Sequence, residues 1–194
     1  CVTAFLGPLG AVSVLGATMA PALWIGPSAG LSRDDDGVQE WFPLSQILFR
    51  LTAISAVIVI ILGSVSGYSP QVALEQVTAM IEQMVQVQTA TDGAPLMDQS
   101  QIATRAADIA SLVPLMMPLS ILFLMVLNLR LAERFARRRG WMLRPQDDLP
   151  TTVGLPPVAC VILLIAIAGS FFGGTLGLAA QVVAGAFGGA FLLV

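Results

Sequence analysis

Two polar side chains, Arg50 and Asn128, are the candidates for binding a small solute. Arg50 lies at the start of a long uncharged stretch, and Asn128 lies near the end of another. An unpaired polar group at membrane depth is costly, so such a residue marks a functional site by default. The structural alternatives are that Arg50 snorkels to the membrane surface and that Asn128 hydrogen-bonds to a neighbouring helix.

The residue types that are missing exclude most catalytic chemistry. The chain has no His and all nine of its basic residues are Arg, which excludes imidazole bases, Schiff-base lysines and a phosphate-loop lysine. The cysteines, Cys1 and Cys160, cannot form a zinc site or a disulfide framework, and no catalytic motif is present. We therefore expect no enzyme activity, no cofactor, no metal and, with a net charge of −3, no nucleic-acid binding.

Hydropathy places the two candidates in a membrane helix bundle. The 194 residues are 56% hydrophobic and 11% charged, whereas soluble domains contain about 25% charged residues. A crossing of the hydrocarbon core needs about 20 apolar residues. The sequence predicts an all-α, polytopic transmembrane helix bundle with about five crossings. The crossings are expected at residues 2–25, 43–66, 109–130, 153–170 and 175–194.

Three features shape these predicted crossings. The uncharged stretch 149–194 is too long for one crossing, so it should turn back between Gly169 and Gly174. Pro114 and Pro118 should kink the third crossing. The chain begins and ends inside apolar segments, so we expect a fragment of a longer membrane protein; a mature lipoprotein that begins at its cysteine is the alternative.

A mainly polar segment, residues 68–108, connects the second and third predicted crossings. Ser69 and Pro70 should begin a helix with apolar residues at helical spacing. A second helix should begin near Asp98 and continue into the third crossing. This pattern predicts an extracytoplasmic amphipathic helical segment, which could lie on the outer membrane surface, cover a pocket between the crossings or cap the bundle.

The arginines predict the orientation. Six of the nine lie within residues 130–144, and basic residues in short loops stay on the cytoplasmic side of a membrane. We therefore expect the basic loop 130–150 to be cytoplasmic and the chain to lie in the bacterial cytoplasmic (inner) membrane. The arginines could also bind anionic lipid head groups or an acidic partner. The alternative is that they only set the orientation of the chain in the membrane.

The last predicted crossing carries a face of small residues, Gly177, Ala180, Ala184 and Gly188. Such faces allow helices to approach closely. The spacing indicates tight packing, either within the bundle or against a membrane protein partner.

Short motifs at the ends of the predicted helices carry a resemblance to a known family. They are Leu127–Ala132, Arg137–Gly140, Leu143–Pro145 and Leu155–Pro156, and Trp41–Pro43 agrees in position. With these motifs the chain resembles the YybS-like bacterial integral membrane proteins, a family of unknown function. The resemblance implies further helices on both sides of this segment and no assigned ligand or catalytic residue. By general architecture that family is similar to the substrate-binding components of vitamin and metal uptake transporters, which is fold-level analogy.

Two functions are compatible with these patterns. The first is binding or transport of a small solute by a transporter subunit, with a pocket between the second and third crossings and with Arg50 and Asn128 as polar contacts. The second is a non-transporting membrane scaffold or assembly factor that recruits partners through its last helix and residues 134–139; a membrane enzyme comes third. A polar cavity would favour the first function, and a dry interior with an exposed small-residue face would favour the second.

Overall fold

The protein is helical. The computed structural model describes residues 23–25, 32–35, 38–92, 97–141 and 154–194. Its elements are β1 (Ser32–Asp35), β2 (Val38–Trp41), α1 (Leu44–Ser66), α2 (Pro70–Asp92), α3 (Gln99–Arg138), α4 (Pro157–Ser170) and α5 (Gly174–Leu192). The predicted helical class is confirmed. The short antiparallel hairpin β1–β2, in which Ser32 pairs with Trp41, was not predicted.

Three helices, α1, α3 and α5, are long and apolar enough to cross a membrane. Helix α4 has 14 residues and rises about 21 Å, less than the hydrocarbon core of about 30 Å. This helix alone is too short to confirm the fourth predicted crossing, which stays a prediction. The first predicted crossing, residues 2–25, lies outside the described residues except for Leu23–Ile25, which are helical.

Local signals set the ends of α1. Pro43 precedes its first residue in an extended conformation, with φ −62° and ψ 131°. Proline suits a helix start because it has no main-chain N–H, and an N–H there would have no partner within the helix. At the other end Gly67 adopts a φ of +67°, which a side chain would disfavour. The Tyr68 N–H then donates to the Gly63 carbonyl at 2.9 Å. This turn ends the helix and directs Tyr68 back toward it.

Helix α3 begins where the sequence predicts and continues beyond the predicted crossing at its other end. It begins after Asp98, whose main-chain N–H donates to Gln101 Oε1 at 3.2 Å as one half of a capping box. It continues through Pro114 and Pro118 and has 40 residues in all, a length of about 60 Å. The start near Asp98 is therefore confirmed.

Residues 130–138, predicted as part of a basic loop, form the last turns of α3. Leucine, alanine, glutamate and arginine favour a helix, and Arg130 donates to Glu133 Oε2 one turn away at 2.9 Å. Gly140, with a φ of +70°, follows the end of the helix. Residues 142–150 of the predicted loop lie outside the described residues.

Helix α5 lies at the centre of the bundle and packs against α1, α3 and α4. One buried cluster joins Ile47 and Leu51 of α1 to Leu122 of α3 and Ala190 of α5. Another joins α1, α4 and α5 around Phe187, whose ring meets that of Phe49 edge-on at 5.7 Å. Helix α2 packs chiefly against α3.

Helices α3 and α5 approach until their main chains touch, along a line that we call the glycine seam: Gly185 and Gly189 of α5 against Leu115 and Leu119 of α3. A Cβ at Gly185 would overlap main-chain atoms of Leu115, and one at Gly189 would overlap the Leu119 side chain. Lipid is as apolar as the helix surfaces, so the hydrophobic effect contributes little to helix association there, and close van der Waals packing stabilises the pair.

Part of the predicted small-residue face packs closely inside the bundle. A Cβ at Gly177 would overlap the Phe172 carbonyl, and one at Gly169 of α4 would lie 2.9 Å from Ala180 Cβ. The chain thus turns tightly at residues 171–173, as predicted. Gly188 has no neighbour within 4 Å of an added Cβ, so this end of the face stays open among the described residues.

Candidate functional site

A cavity of about 440 Å³ opens between α1, α3 and α5. It lies between the two helices that the sequence predicts to enclose a pocket, with α5 as a third wall. Its volume is within the range of small-molecule sites, about 300–1,000 Å³. The walls come from the last turns of α1, the proline segment of α3 and the first turns of α5: Val59, Gly63, Ser64, Tyr68, Pro114, Met117, Ile121, Thr175, Ala179 and Val182 among them.

Tyr68 is one of the polar residues that line this cavity. Its hydroxyl is buried and has no hydrogen-bond partner among the residues that the structure describes. Tyr68 lies two residues beyond the end of α1, where burial raises the pKa of its phenol above 10.0. The phenol is therefore protonated at neutral pH, and its oxygen is shielded from solvent.

The serine hydroxyls of the cavity wall are satisfied by their own helix. Ser64 Oγ donates to the Ile60 carbonyl at 2.7 Å, and Ser66 Oγ donates to the Gly63 carbonyl at 3.2 Å. Hydroxyls with such local partners gain little from a ligand. None of the described residues that line the cavity is charged. The cavity is therefore mainly apolar, and the hydroxyl-bearing residues of its lining besides these serines are Tyr68 and Thr175.

Two fully buried hydroxyls deeper in α1 are structural. Thr52 Oγ1 donates to the Leu48 carbonyl and Ser55 Oγ donates to the Thr52 carbonyl, both at 2.8 Å. These bonds remove the cost of burying a polar group in an apolar interior. Neither residue lines the cavity.

The structure places Arg50 and Asn128 outside the cavity. Arg50 is exposed in the second turn of α1, and its guanidinium carbon lies 4.8 Å from the centre of the Phe42 ring. This is cation–π geometry, and it holds the charge toward the helix start, as expected of a snorkelling arginine. Asn128 is exposed on α3, toward the arginine-rich end of that helix.

A second, much smaller cavity of about 60 Å³ lies at the opposite end of α1, beside the Arg130–Glu133 ion pair. The Glu133 side chain is 11% exposed and its distance to Arg130 is 2.9 Å. The volume holds about two water molecules at about 30 Å³ each. We therefore assign this pair a structural role at the junction of α1, α3 and the residue after α5, Leu193.

Comparison with known proteins adds no function: no family model, curated protein or solved structure matches the chain. In the described part of the chain no group of three or more His, Cys, Asp or Glu side chains could hold a metal ion. The larger cavity is thus the feature from which a function can be argued.

Proposed function

We propose that this chain is part of a multi-pass protein of the bacterial inner membrane that binds a small solute in the cavity between α1, α3 and α5. Three helices suited to crossing a membrane support the membrane location. The apolar helix α4, which a tight turn joins to α5, supports a fourth crossing. With the apolar segment 2–25 this gives the five crossings of the proposal.

The proposed orientation rests on the two ends of α3. Its last turns carry the exposed Arg134 and Arg138, the exposed Arg139 follows them, and positive charge favours the cytoplasmic side. Its first turns and α2 carry a single basic residue, Arg105. We therefore propose that α2 and the larger cavity lie toward the extracytoplasmic side, where a solute from outside the cell would reach them.

The observation that carries the solute-binding proposal is the cavity itself. The space of about 440 Å³ between the three helices is within the range of small-molecule sites, about 300–1,000 Å³. Such a protein could act alone or as the binding subunit of a transporter.

Filling the cavity should abolish solute binding. Ala179 lines the cavity from α5, and a phenylalanine there would occupy the space of a ligand. The control is Leu176→Phe, three residues earlier on the same helix, where the side chain is 77% exposed and lies outside the cavity. The measurement is native mass spectrometry of both variants and the parent, to detect small molecules that co-purify in mild detergent.

We expect the parent and Leu176→Phe to retain a bound small molecule and Ala179→Phe to lose it. Equal retention by Ala179→Phe would disprove the cavity as the site. A protein partner in place of any small molecule would favour the scaffold, the second candidate, which is supported by the open end of the small-residue face at Gly188.

Arg50→Ala and Asn128→Ala test the other proposed contacts. Because neither residue lines the cavity, we expect both variants to bind the solute within about twofold of the parent, less than the loss of one hydrogen bond would produce. The same mass-spectrometric titration measures this. A tenfold loss in either variant would show that the solute extends toward the α1 start and the α3 end.

The resemblance to the YybS-like proteins stays a prediction. It agrees with the proposed membrane location and assigns no residue to a ligand, so the residues of the site are argued from the cavity alone.

A further inference from the structure

Helix α3 extends past its neighbours at its arginine-rich end. The small cavity there joins Leu44, the first residue of α1, to Arg130 and Glu133 of α3 and to Leu193 after α5. Of these three helices α3 alone continues beyond this level, by the residues after Glu133 up to Arg138, a rise of about 8 Å. The head-group layer on one side of a bilayer is about 5–8 Å thick. In the proposed orientation these last residues of α3 therefore lie at the depth of the lipid head groups.

One side of this extension continues the lipid-facing side of α3. Exposed residues follow one another at spacings of three and four, the helical repeat, and so lie on one side of the helix: Leu124, Leu127, Leu131, Arg134, Phe135 and Arg138. We call the last three of these residues the arginine face. Since the leucines on the same side contact acyl chains, the molecules beside the arginine face are the lipids to which those chains belong.

The charges of the arginine face are available to an anion from outside the protein. Within residues 129–141 the single acidic residue is Glu133, which is already paired with Arg130 at 2.9 Å. In the described part of the chain no ion pair includes Arg134 or Arg138. A guanidinium group binds phosphate through paired, charge-assisted hydrogen bonds. Two such groups, one turn apart, therefore suit a phosphate.

The aromatic residue of the arginine face favours a lipid phosphate over a free one. Phe135 lies between the two arginines in the chain, and its side chain is 67% exposed. In water such a ring would forgo the free energy of burial, whereas aromatic rings beside basic residues are favoured at a membrane interface. A phospholipid offers both an anionic phosphate for the arginines and an apolar part for the ring.

We propose that the arginine face binds the phosphate of an anionic phospholipid in the cytoplasmic leaflet, with Phe135 against the apolar part of the same lipid. This inference rests on the proposed membrane location and orientation, and it does not depend on the cavity between α1, α3 and α5. An orientation signal depends on how many arginines a segment carries. A lipid site depends also on which side of the helix each arginine occupies.

The test compares arginines on and off this face. The proteins are the parent, Arg134→Gln/Arg138→Gln, Arg138→Gln and Arg137→Gln, each in an uncharged detergent. Arg137→Gln is the matched control, because Arg137 is the next residue in the chain but is only half-exposed, away from the arginine face. Native mass spectrometry titrates phosphatidylglycerol and phosphatidylcholine with identical acyl chains, with and without excess inorganic phosphate. The unfolding midpoint of each variant verifies that its fold is retained.

We expect the parent to bind phosphatidylglycerol more tightly than phosphatidylcholine, and excess phosphate to leave that binding in place. Arg138→Gln should weaken phosphatidylglycerol binding about fivefold and the double variant about thirtyfold, as one and two arginines contribute near an anionic surface. Arg137→Gln should stay within about twofold of the parent, because its charge lies off the binding face.

Four results would overturn the proposal. Equal binding of the two lipids by the parent would show that no anionic head group is recognised. Equal losses in Arg137→Gln and Arg138→Gln would show an effect of charge number alone. Displacement of the lipid by inorganic phosphate would show a simple anion site. An acidic protein that binds the parent and not the double variant, while phosphatidylglycerol binds both alike, would assign the arginine face to a protein partner. None of these results bears on the cavity, which Ala179→Phe tests.

Discussion

Gly185→Ala should destabilise the contact between α3 and α5 more than the same change at Gly188 or Gly189. The added Cβ would overlap the main chain of Leu115 on α3. A main chain cannot rotate away as a side chain can, so α3 and α5 would have to separate. Overpacking of a closely packed interior costs about 1–3 kcal/mol, occasionally more. We expect at least that loss in the free energy of unfolding, measured by denaturant titration in mild detergent.

Gly188→Ala is the matched control. It makes the same chemical change three residues away on the same helix, where an added Cβ has no neighbour within 4 Å. Alanine is also favoured over glycine inside a helix by about 1 kcal/mol, so this variant should be neutral or slightly more stable. Gly189→Ala should fall between the two, because there the overlap is with the flexible Leu119 side chain. Equal stability of Gly185→Ala and Gly188→Ala would contradict the glycine seam.

Leu122→Ala should produce the largest loss of stability among truncations in α3. The Leu122 side chain is 0% exposed and belongs to the cluster that also contains Ile47, Leu51 and Ala190. Removing it leaves a void among α1, α3 and α5, and leucine-to-alanine changes in close-packed interiors cost about 2–5 kcal/mol. The same denaturant titration measures this loss.

Leu124→Ala provides the comparison, since the same residue type lies two positions further on. Its side chain is 54% exposed, so it faces lipid when α3 crosses a membrane. After truncation, lipid fills the space that the side chain leaves. We expect a change of less than about 1 kcal/mol, since it creates no internal void. If Leu124→Ala is as destabilising as Leu122→Ala, the face of α3 that packs on α1 and α5 is assigned wrongly.

Both ends of α1 and the start of α3 could be predicted because the residues that cause them lie beside them in the chain. Proline at the start of α1, glycine at its end and Asp98 before α3 each act on the residues beside them. The end of α3 was predicted too early because the arginines after Leu129 suggested a loop. Charge predicts where a helix leaves the hydrocarbon, whereas helix propensity and the Arg130–Glu133 ion pair decide where it stops.

The sequence predicts a pocket between two crossings, and a cavity lies there, but the residues that line it could not be predicted. Arg50 and Asn128 were chosen because they are polar within apolar stretches, yet burial depends on which face of each helix meets its neighbours. That face is set by packing between residues far apart in the chain, such as Gly185 with Leu115. Tyr68, which lines the cavity, was not predicted because it follows a helix end. The signal that could have indicated it is Gly67, which turns the chain back there.

The glycine seam also constrains how this sequence can diverge. Since no side chain fits between position 185 and the α3 main chain, any descendant that keeps this helix crossing must inherit glycine there, while position 188 is free to drift. We therefore expect position 185 to tolerate substitution least along this face of α5, and evolution to preserve its glycine longest there.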